Sequence, residues 1–399
     1  MSDLTTQISH LSRRGFALLI DDARVGKRVY MVGPTNPISL ETVAKMADSA
    51  RGILWAAVDE ARLKELRLPL MPSRMGADPA LEMSVSVEAR HGVTTGISAS
   101  DRATTLNTLA TTKESLFDLV TPGHIFPVRS RAGGVLIRSG VAEAAADLCS
   151  AIGSPRVAAV CECLTEQGDH LSEKQAPTLA ADLDAPLITI TQLIRHRLSH
   201  ENLVEHVASA QLPTIHAGVF TSHCFRSKLD GAEHLVLVKG DMRKPDEKGF
   251  GTIEPNSAEP LLVRVQAEDR LGDLFGMQPL PGRARMLGAL KYIDQAGRGI
   301  FVYIRHPRRG TLSTQTNLLS ETLALDKDKK DNSKVGSRQN KAEIGLSQEI
   351  RELGIGAQIL KALGVKRIRI LSNSAKKIVG AEAFGLSIEG YEKFEPFLQ

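Results

Sequence analysis

Short apolar runs alternate with stretches of helical spacing through the first half of this chain. The runs at 16–22, 53–58, 157–163 and 186–190 have the length and composition of buried strands. Residues 1–14 and 40–50 have helical spacing, and Val43, Met46 and Ala47 fall on one face of the second stretch. Strands mixed with helices in this way predict an α+β domain with a mixed sheet.

The pattern changes near residue 200. The spacing in 193–207 predicts a connecting helix that ends before Leu212 and Pro213, and strand-like runs follow at 216–227, 233–242 and 260–268. Helical stretches at 285–296 and 346–363 then alternate with strands at 299–303 and 365–371, which predicts an α/β domain. We therefore expect one domain over 1–205 and a second over 206–399, with a mobile charged loop at 326–341.

Composition limits the classes of function. The 399 residues are 42% hydrophobic and 24% charged, as in a globular protein, and the length suits two domains of about 200 residues. No run of eighteen apolar residues is present, and residues 1–20 lack the layout of a signal peptide, so we expect a cytoplasmic protein without membrane contact. A net charge of +4 gives no reason to expect nucleic acid as a partner.

The cysteines do not have the spacing of a metal site. Cys161 and Cys163 form a C-x-C pair without a second pair nearby, and Cys149 and Cys224 stand alone. We expect buried free thiols.

Two segments of the first half resemble 3,4-dihydroxy-2-butanone 4-phosphate synthase, which cleaves ribulose 5-phosphate. They are PGHIFPVRSRAGGVLIRSGVAEAAADL at 122–148 and GVTTGISASDRATTL at 92–106, and the resemblance extends over about 16–197. It implies catalytic roles for His124 and Glu162. It also implies a sugar-phosphate pocket, because hydroxyl groups, backbone N–H groups and guanidinium groups bind phosphate oxygens. The implied binding residues are Arg24, Thr94, Thr95, Asp101, Arg102 and Arg138.

The resemblance also implies a magnesium site, which this chain lacks. The two positions of the family's metal ligands are occupied by Val25 and Val141, and valine offers no oxygen to a hard dication. We expect no magnesium. Lys27 is a candidate to supply positive charge in its place, and a solvated basic loop is the alternative.

The second half, from about 212 to 394, resembles GTP cyclohydrolase II. Matching segments include LDGAEHLVLVKGD from 229, LLVRVQAE from 261, AGRGIFVYIR from 296 and LGIGAQILKALGVKRIRILSNSAKKIVG from 353. The family's three zinc-binding cysteines correspond to Asp269, Leu280 and Gly282, and one carboxylate does not make a zinc site. We therefore expect no zinc.

Nucleotide-contacting positions are retained unevenly. The resemblance implies catalytic roles for Glu349 and Arg351, and the arginine and lysine side chains form a candidate polyphosphate clamp, with surface cations as the alternative. Tyr303 is either a buried strand residue or a substrate contact. The implied binding residues are Arg264, Glu268, Arg305, Arg309, Ser372 and Lys377.

These observations predict a diverged relative of the bifunctional riboflavin enzyme without either standard metal-dependent activity. We expect it to bind or convert a pentose phosphate, a purine nucleotide or both, and the resemblance implies a homodimer. Two alternatives remain. One is a non-catalytic regulatory or binding partner of riboflavin enzymes, and the other is a genuine riboflavin biosynthesis enzyme with relocated metal ligands.

Overall fold

The computed structural model describes residues 3–23, 26–35, 37–72, 81–111, 116–240, 259–276, 282–305, 316, 350–373 and 385–397. The chain forms two compact units that divide between His196 and Arg197. The boundary expected from the sequence, at 205/206, lies within a strand of the second unit. The charged segment 326–341 lies outside the described residues.

Among its described residues, the first unit contains seven α-helices and eight strands. They are α1 (Leu4–Arg14), β1 (Ala17–Ile20), β2 (Val29–Pro34), α2 (Leu40–Ala50), β3 (Arg51–Asp59), α3 (Glu60–Glu65), β4 (Val87–Ala89), α4 (Ala99–Ala110), β5 (Leu119–Ile125), β6 (Pro127–Ser130), α5 (Val141–Ala151), β7 (Val157–Cys163), α6 (Ala176–Asp182), β8 (Leu187–Thr189) and α7 (Ile190–His200). The last helix, α7, continues past the division into the second unit.

Six of these strands form one mixed sheet in the order β6-β3-β7-β2-β1-β8, and β4 pairs with β5 separately. The pairs β3–β6 and β1–β8 are parallel, whereas β1–β2, β2–β7 and β3–β7 are antiparallel. Helices α2 and α4 bury Met46, Leu106 and Leu109 against one face of this sheet. Hydrophobic burial of that face fixes the positions of the loops that follow the strands.

The second unit is built on a seven-stranded sheet in the order β15-β14-β12-β13-β11-β10-β9. Strands β9, β10, β11 and β13 pair antiparallel, and β12 pairs parallel with both β13 and β14. The elements are β9 (Val204–Thr214), β10 (Gly218–Ser227), β11 (Glu233–Lys239), β12 (Leu261–Ala267), α8 (Arg270–Phe275), α9 (Gly282–Gln295), β13 (Gly299–Ile304), α10 (350–362), β14 (Arg367–Leu371) and β15 (Ser387–Glu392).

The α+β first unit and the α/β second unit confirm the expected fold classes, but the helix expected at 193–207 was wrong in its second half. Helix α7 ends at His200, and the side-chain amide of Gln358 donates to the carbonyl groups of Leu198 and Glu201 at 2.6 and 2.8 Å. Pairing of β9 with β10 then makes the following residues a strand, so the cross-strand hydrogen bonds override the helical spacing.

All four cysteines are free thiols, and Cys149, Cys161 and Cys163 are buried as expected, whereas Cys224 is half-buried. Burial raises the pKa of the Cys161 thiol to about 11. Among the described residues, the structure contains no helix long and apolar enough to cross a membrane.

Candidate functional site

The glycine-rich loop at 92–98, which precedes α4, is stabilised by hydrogen bonds to one carboxylate. Oδ2 of Asp101 accepts hydrogen bonds from the Thr94 hydroxyl at 2.9 Å and from the Gly96 N–H at 3.0 Å. Ser98 caps α4 by accepting from the Asp101 N–H. Burial opposes ionisation of Asp101, but these hydrogen bonds outweigh it and lower its pKa. In this structure Asp101 therefore shapes the loop that presents the threonines.

Three other expected binding groups lie on or beside this loop. Thr94 and Thr95 are exposed, and Arg102 lies one turn into α4. The Nε atom of Arg102 is buried and has no hydrogen-bond partner among the described residues. A buried guanidinium nitrogen without a partner costs free energy, and an anionic ligand would supply the missing acceptor.

His124 pairs with a carboxylate that the sequence did not indicate. Its Nδ1 lies 3.1 Å from Oε2 of Glu88, and the two residues come from the paired strands β5 and β4. The other oxygen of Glu88 packs against Gly96, since a Cβ on that glycine would lie 1.5 Å from Oε1. Glu88 thus connects His124 to the glycine-rich loop.

Glu162, the second expected catalytic residue, belongs to a separate cluster on β7. Its Oε1 lies 2.8 Å from Nδ1 of His170 and 3.5 Å from a guanidinium nitrogen of Arg28. Neither partner was expected. Lys27, the candidate for a substitute cation, pairs instead with Glu173 at 2.9 Å.

Arg138 is held in a dense group of ion pairs. It contacts the fully buried Glu143 at 2.6 Å and Glu82 at 3.3 Å. Glu82 also pairs with Arg129 at 2.9 Å and with Arg131 at 2.7 Å. Burial opposes ionisation of Glu82, but its arginine partners lower its pKa to about 2. Arg138 is therefore oriented before any ligand binds.

The expected magnesium positions do not fit a metal where they are described. Val141 is buried as the first residue of α5 and has no donor atom. Arg24 and Val25 lie outside the described residues. Among the residues that are described, no group of three or more His, Cys, Asp or Glu side chains has the geometry of a metal site.

In the second unit, Glu268 follows β12 and is almost completely buried. Its Oε1 lies 3.3 Å from Nε of Arg270 and 3.5 Å from Nε of Arg305. Its backbone N–H donates to the carbonyl of Ile304 at 2.8 Å, which places Glu268 beside the end of β13. The structure therefore brings two expected binding residues, Glu268 and Arg305, into contact.

Arg264 lies on β12 of the same unit. Its guanidinium group donates to the Leu371 carbonyl at 3.1 Å and lies 5.4 Å from the centre of the Phe394 ring. Burial, reinforced by the charge of Arg285, lowers its pKa, and its Nε has no hydrogen-bond partner among the described residues. The backbone N–H of Ser372, the residue after β14, donates to the Glu392 carbonyl.

The segment that would hold zinc is closed by other interactions. Oδ1 of Asp269 accepts from the Gly272 N–H at 3.2 Å and thereby caps α8. A Cβ on Gly282 would lie 2.6 Å from Oδ1 of Asp273 and 2.9 Å from the carbonyl carbon of Gly272. A side chain does not fit at 282 without movement, and Asp269 is already used as a cap. These two positions do not fit a zinc site.

Asp273 takes the central place in this segment. Its carboxylate accepts from the Tyr303 hydroxyl at 2.6 Å, the Gln266 amide at 2.8 Å and the Asp269 N–H at 2.9 Å. Burial raises the pKa of Asp273, and burial together with Asp273 raises the pKa of Tyr303. The Tyr303 hydroxyl therefore stabilises this segment through its hydrogen bond to Asp273.

Four further expected positions cannot be placed. Arg309, Glu349, Lys377 and Leu280 lie outside the described residues, whereas Arg351 is described and lies in α10.

The functional candidates that sequence reasoning missed are Glu88, His170 and Arg28. Glu88 precedes the glycine-rich loop by four residues, and this proximity was the one available signal. His170 and Arg28 meet Glu162 only through strand pairing and a turn, so no local pattern indicates them.

Comparison with known proteins follows the two-unit division. The sequence model of 3,4-dihydroxy-2-butanone 4-phosphate synthase matches residues 5–196, and that of GTP cyclohydrolase II matches residues 205–393. A crystal structure described as RibBX, a two-domain 3,4-dihydroxy-2-butanone 4-phosphate synthase from A. baumannii, is 26% identical. It has a TM-score of 0.73 and covers 98% of this chain and 99% of its own.

Curated relatives match at higher identity. The riboflavin biosynthesis protein RibBA of Rhodococcus jostii is 36% identical, with 93% of this chain and 85% of the relative covered. RibBA of Aquifex aeolicus is 34% identical, with 92% and 89% covered. The probable monofunctional riboflavin biosynthesis protein RIBA 3 of Oryza sativa is 34% identical, with 98% and 69% covered. The chain therefore belongs to the riboflavin biosynthesis family that joins a 3,4-dihydroxy-2-butanone 4-phosphate synthase domain to a GTP cyclohydrolase II domain.

Proposed function

We propose that this chain binds a pentose phosphate in its first unit and a purine nucleotide in its second, and that neither site uses the family's divalent metal. The observation that favours a working first site is Arg102. Its buried Nε has no partner among the described residues, beside a loop that exposes Thr94 and Thr95. A phosphate group would accept from all three side chains.

The geometry of the first unit supports chemistry as well as binding. His124 is oriented by Glu88, and one oxygen of Glu162 contacts both His170 and Arg28, so each expected catalytic residue has a partner that fixes it. A general acid or base needs such a fixed position relative to the proton that it moves. We infer a lyase-like enzyme that acts on a sugar phosphate without a divalent cation.

In the second unit, the cationic side chain of Arg264 on β12 supports nucleotide binding. Arg264 has a buried Nε without a partner among the described residues, and the positive charge of Arg285 acts on it. A polyphosphate would relieve this repulsion between guanidinium groups. The closed segment around Asp273 supports a binding role without zinc-dependent hydrolysis.

The experiment that tests this function uses the full chain in two metal states. Ribulose 5-phosphate and GTP are incubated with protein supplied with magnesium and zinc, and with protein treated with EDTA, and products are followed by NMR. Calorimetry measures the affinity for each ligand in both states. We expect binding of ribulose 5-phosphate that survives chelation and that weakens at least tenfold in Arg102→Ala, because a charge-assisted contact is lost.

Arg90→Ala is the matched control, since the Arg90 guanidinium group already donates to the Phe117 carbonyl. Turnover of ribulose 5-phosphate that EDTA abolishes would contradict the proposal. It would support the second candidate function, a genuine riboflavin enzyme with relocated ligands, which the names of the curated relatives favour. Absence of binding to either ligand would also contradict it.

We also propose that the chain forms a homodimer, which sedimentation equilibrium would measure. Light scattering at several protein concentrations provides the second measurement, and a monomer at all concentrations would contradict it.

A further inference from the structure

Glu162 is contacted by an imidazole and a guanidinium group from outside its own strand. Its Oε1 lies 2.8 Å from Nδ1 of His170 and 3.5 Å from a guanidinium nitrogen of Arg28. Oε1 is itself buried, whereas 23% of the Glu162 side chain is exposed. Both contacts are therefore made to the buried oxygen, and the exposed part of the side chain is where solvent or a ligand reaches Glu162.

The fold explains why these residues meet. Strand β2 pairs with β7 so that Tyr30 lies opposite Glu162, and Arg28, two residues before Tyr30, shares its face of the sheet. A turn at Thr165–Asp169 reverses the chain after β7, and a bridge between Leu164 and His170 closes it. Strand register and this turn together place Arg28 and His170 at the carboxylate.

Two neighbouring basic residues, Lys27 and Arg28, precede β2, and Arg28 is the one that contacts Glu162. Lys27 has a φ of 35° and pairs with Glu173 at 2.9 Å. The Arg28 side chain is 49% exposed, and that of His170 is 57% exposed. Both side chains are thus open to a small molecule, and Arg28 has N–H groups in excess of its one contact with Glu162.

We propose that Arg28 is a catalytic residue that binds an oxyanion of the sugar-phosphate substrate, and that His170 is a positioning residue for Glu162. This inference rests on the proposed function of the first unit. Glu162 removes a proton from the carbon beside the substrate's carbonyl group. The electron pair of that C–H bond forms a carbon–carbon double bond, and the carbonyl oxygen becomes an oxyanion that Arg28 binds.

Proton removal by Glu162 can be measured even if the substrate is not cleaved. When Glu162 returns a deuteron from D2O to the same carbon, the substrate exchanges hydrogen for deuterium and is otherwise unchanged. Exchange into ribulose 5-phosphate is followed by ¹H NMR with the full chain in the presence of EDTA. Binding of the same ligand is measured by calorimetry.

We expect Arg28→Ala to slow exchange about a hundredfold at saturating ligand, the usual loss for one oxyanion donor. Arg28 is half-exposed and its ion pair adds little stability, so the variant should fold. Guanidinium chloride should restore exchange, whereas sodium chloride at equal ionic strength should not. The control is Lys27→Asn, which removes the neighbouring charge and tolerates the positive φ.

His170→Ala should slow exchange about tenfold by releasing Glu162, and His170→Asn, which keeps a donor near Glu162, should recover most of that loss. Exchange at the wild-type rate in Arg28→Ala, or an equal loss in Lys27→Asn, would overturn the proposal. Wild-type protein that binds the ligand without exchange would overturn this inference alone. Wild-type protein that does not bind it would overturn the proposed function as well.

Discussion

The carboxylate of Glu88 connects His124 to the backbone of Gly96. One oxygen lies 3.1 Å from the imidazole, and the other occupies the space that a side chain at 96 would need. The position of His124 relative to the threonine loop therefore depends on a glycine that has no donor or acceptor side chain of its own.

We expect Gly96→Ala to weaken ribulose 5-phosphate binding and to lower the thermal unfolding midpoint. The new Cβ would displace Glu88, and the residue has a φ of 82°, which costs a non-glycine residue about 1 kcal/mol. Displacement adds about 1–3 kcal/mol. Calorimetry and thermal unfolding measure the two effects.

Gly153→Ala is the control for the backbone strain that a positive φ causes in alanine. Gly153 has a φ of 71° and nothing within 4 Å of its Cβ position, so the variant shares the strain without displacing a neighbour. If both variants bind ribulose 5-phosphate equally well, then the contact between Glu88 and Gly96 has no role in the site.

Glu82→Gln should reduce stability near pH 7 and have little effect near pH 2. The arginine partners lower the pKa of Glu82 from 4.5 to about 2. A lowered carboxyl pKa stabilises the folded state fully above the unfolded value, and the stabilisation is lost as pH falls from about 4.5 through about 2. The full difference is about 3 kcal/mol.

Unfolding curves of the wild type and Glu82→Gln between pH 7 and pH 2 measure this difference. Glu166→Gln is the matched control, because its side chain is 80% exposed and pairs with Arg51 at 3.8 Å. A difference for Glu82→Gln that stays constant across this range would show that ionisation of Glu82 does not stabilise the fold.

Gly282→Ala should destabilise the second unit by about 1–3 kcal/mol, since its Cβ would meet Asp273 and the backbone of Gly272. Gly356→Ala provides a matched comparison, because it should change the free energy of unfolding in the opposite direction. Gly356 lies in α10, where a Cβ meets only Val265 at ordinary contact distance. Alanine there should stabilise by about 0.5–1 kcal/mol. Urea unfolding measures the stability of both variants. Equal changes in stability would contradict the claim that a side chain at 282 does not fit.

Removal of metal should leave the second unit's stability unchanged. Hydrogen bonds to Asp269 and Asp273 hold the segment that zinc would otherwise organise. We expect the unfolding midpoint to be the same with zinc, without added metal and with phenanthroline. Elemental analysis of the purified protein is the second measurement. A midpoint that falls on chelation would contradict the replacement of metal by hydrogen bonds.

Apolar patterning was sufficient to predict most strands, including β7, whose bounds at Val157–Cys163 agree with the predicted run. It failed at the end of α7, because the amide of Gln358 and the pairing of β9 act over long sequence separation. Periodicity within a segment contains no information on such partners.

Candidate residues were predictable where a motif was contiguous and not where partners meet through the fold. Thr94 and Asp101 belong to one loop and helix, and their hydrogen bond follows from that local structure. Arg28 and His170 reach Glu162 through strand register and a turn. Only the three-dimensional structure reveals that Arg28, and not Lys27, is the cation at that carboxylate.

The capped segment at Asp269 and Gly282 limits how a thiolate metal site could be engineered here. A cysteine at 269 would remove the cap of α8, and one at 282 would collide with Asp273 before any metal could bind. Each of these two substitutions would destabilise the second unit on its own, so a designed metal site at these positions would need compensating changes around Gly272 and Asp273.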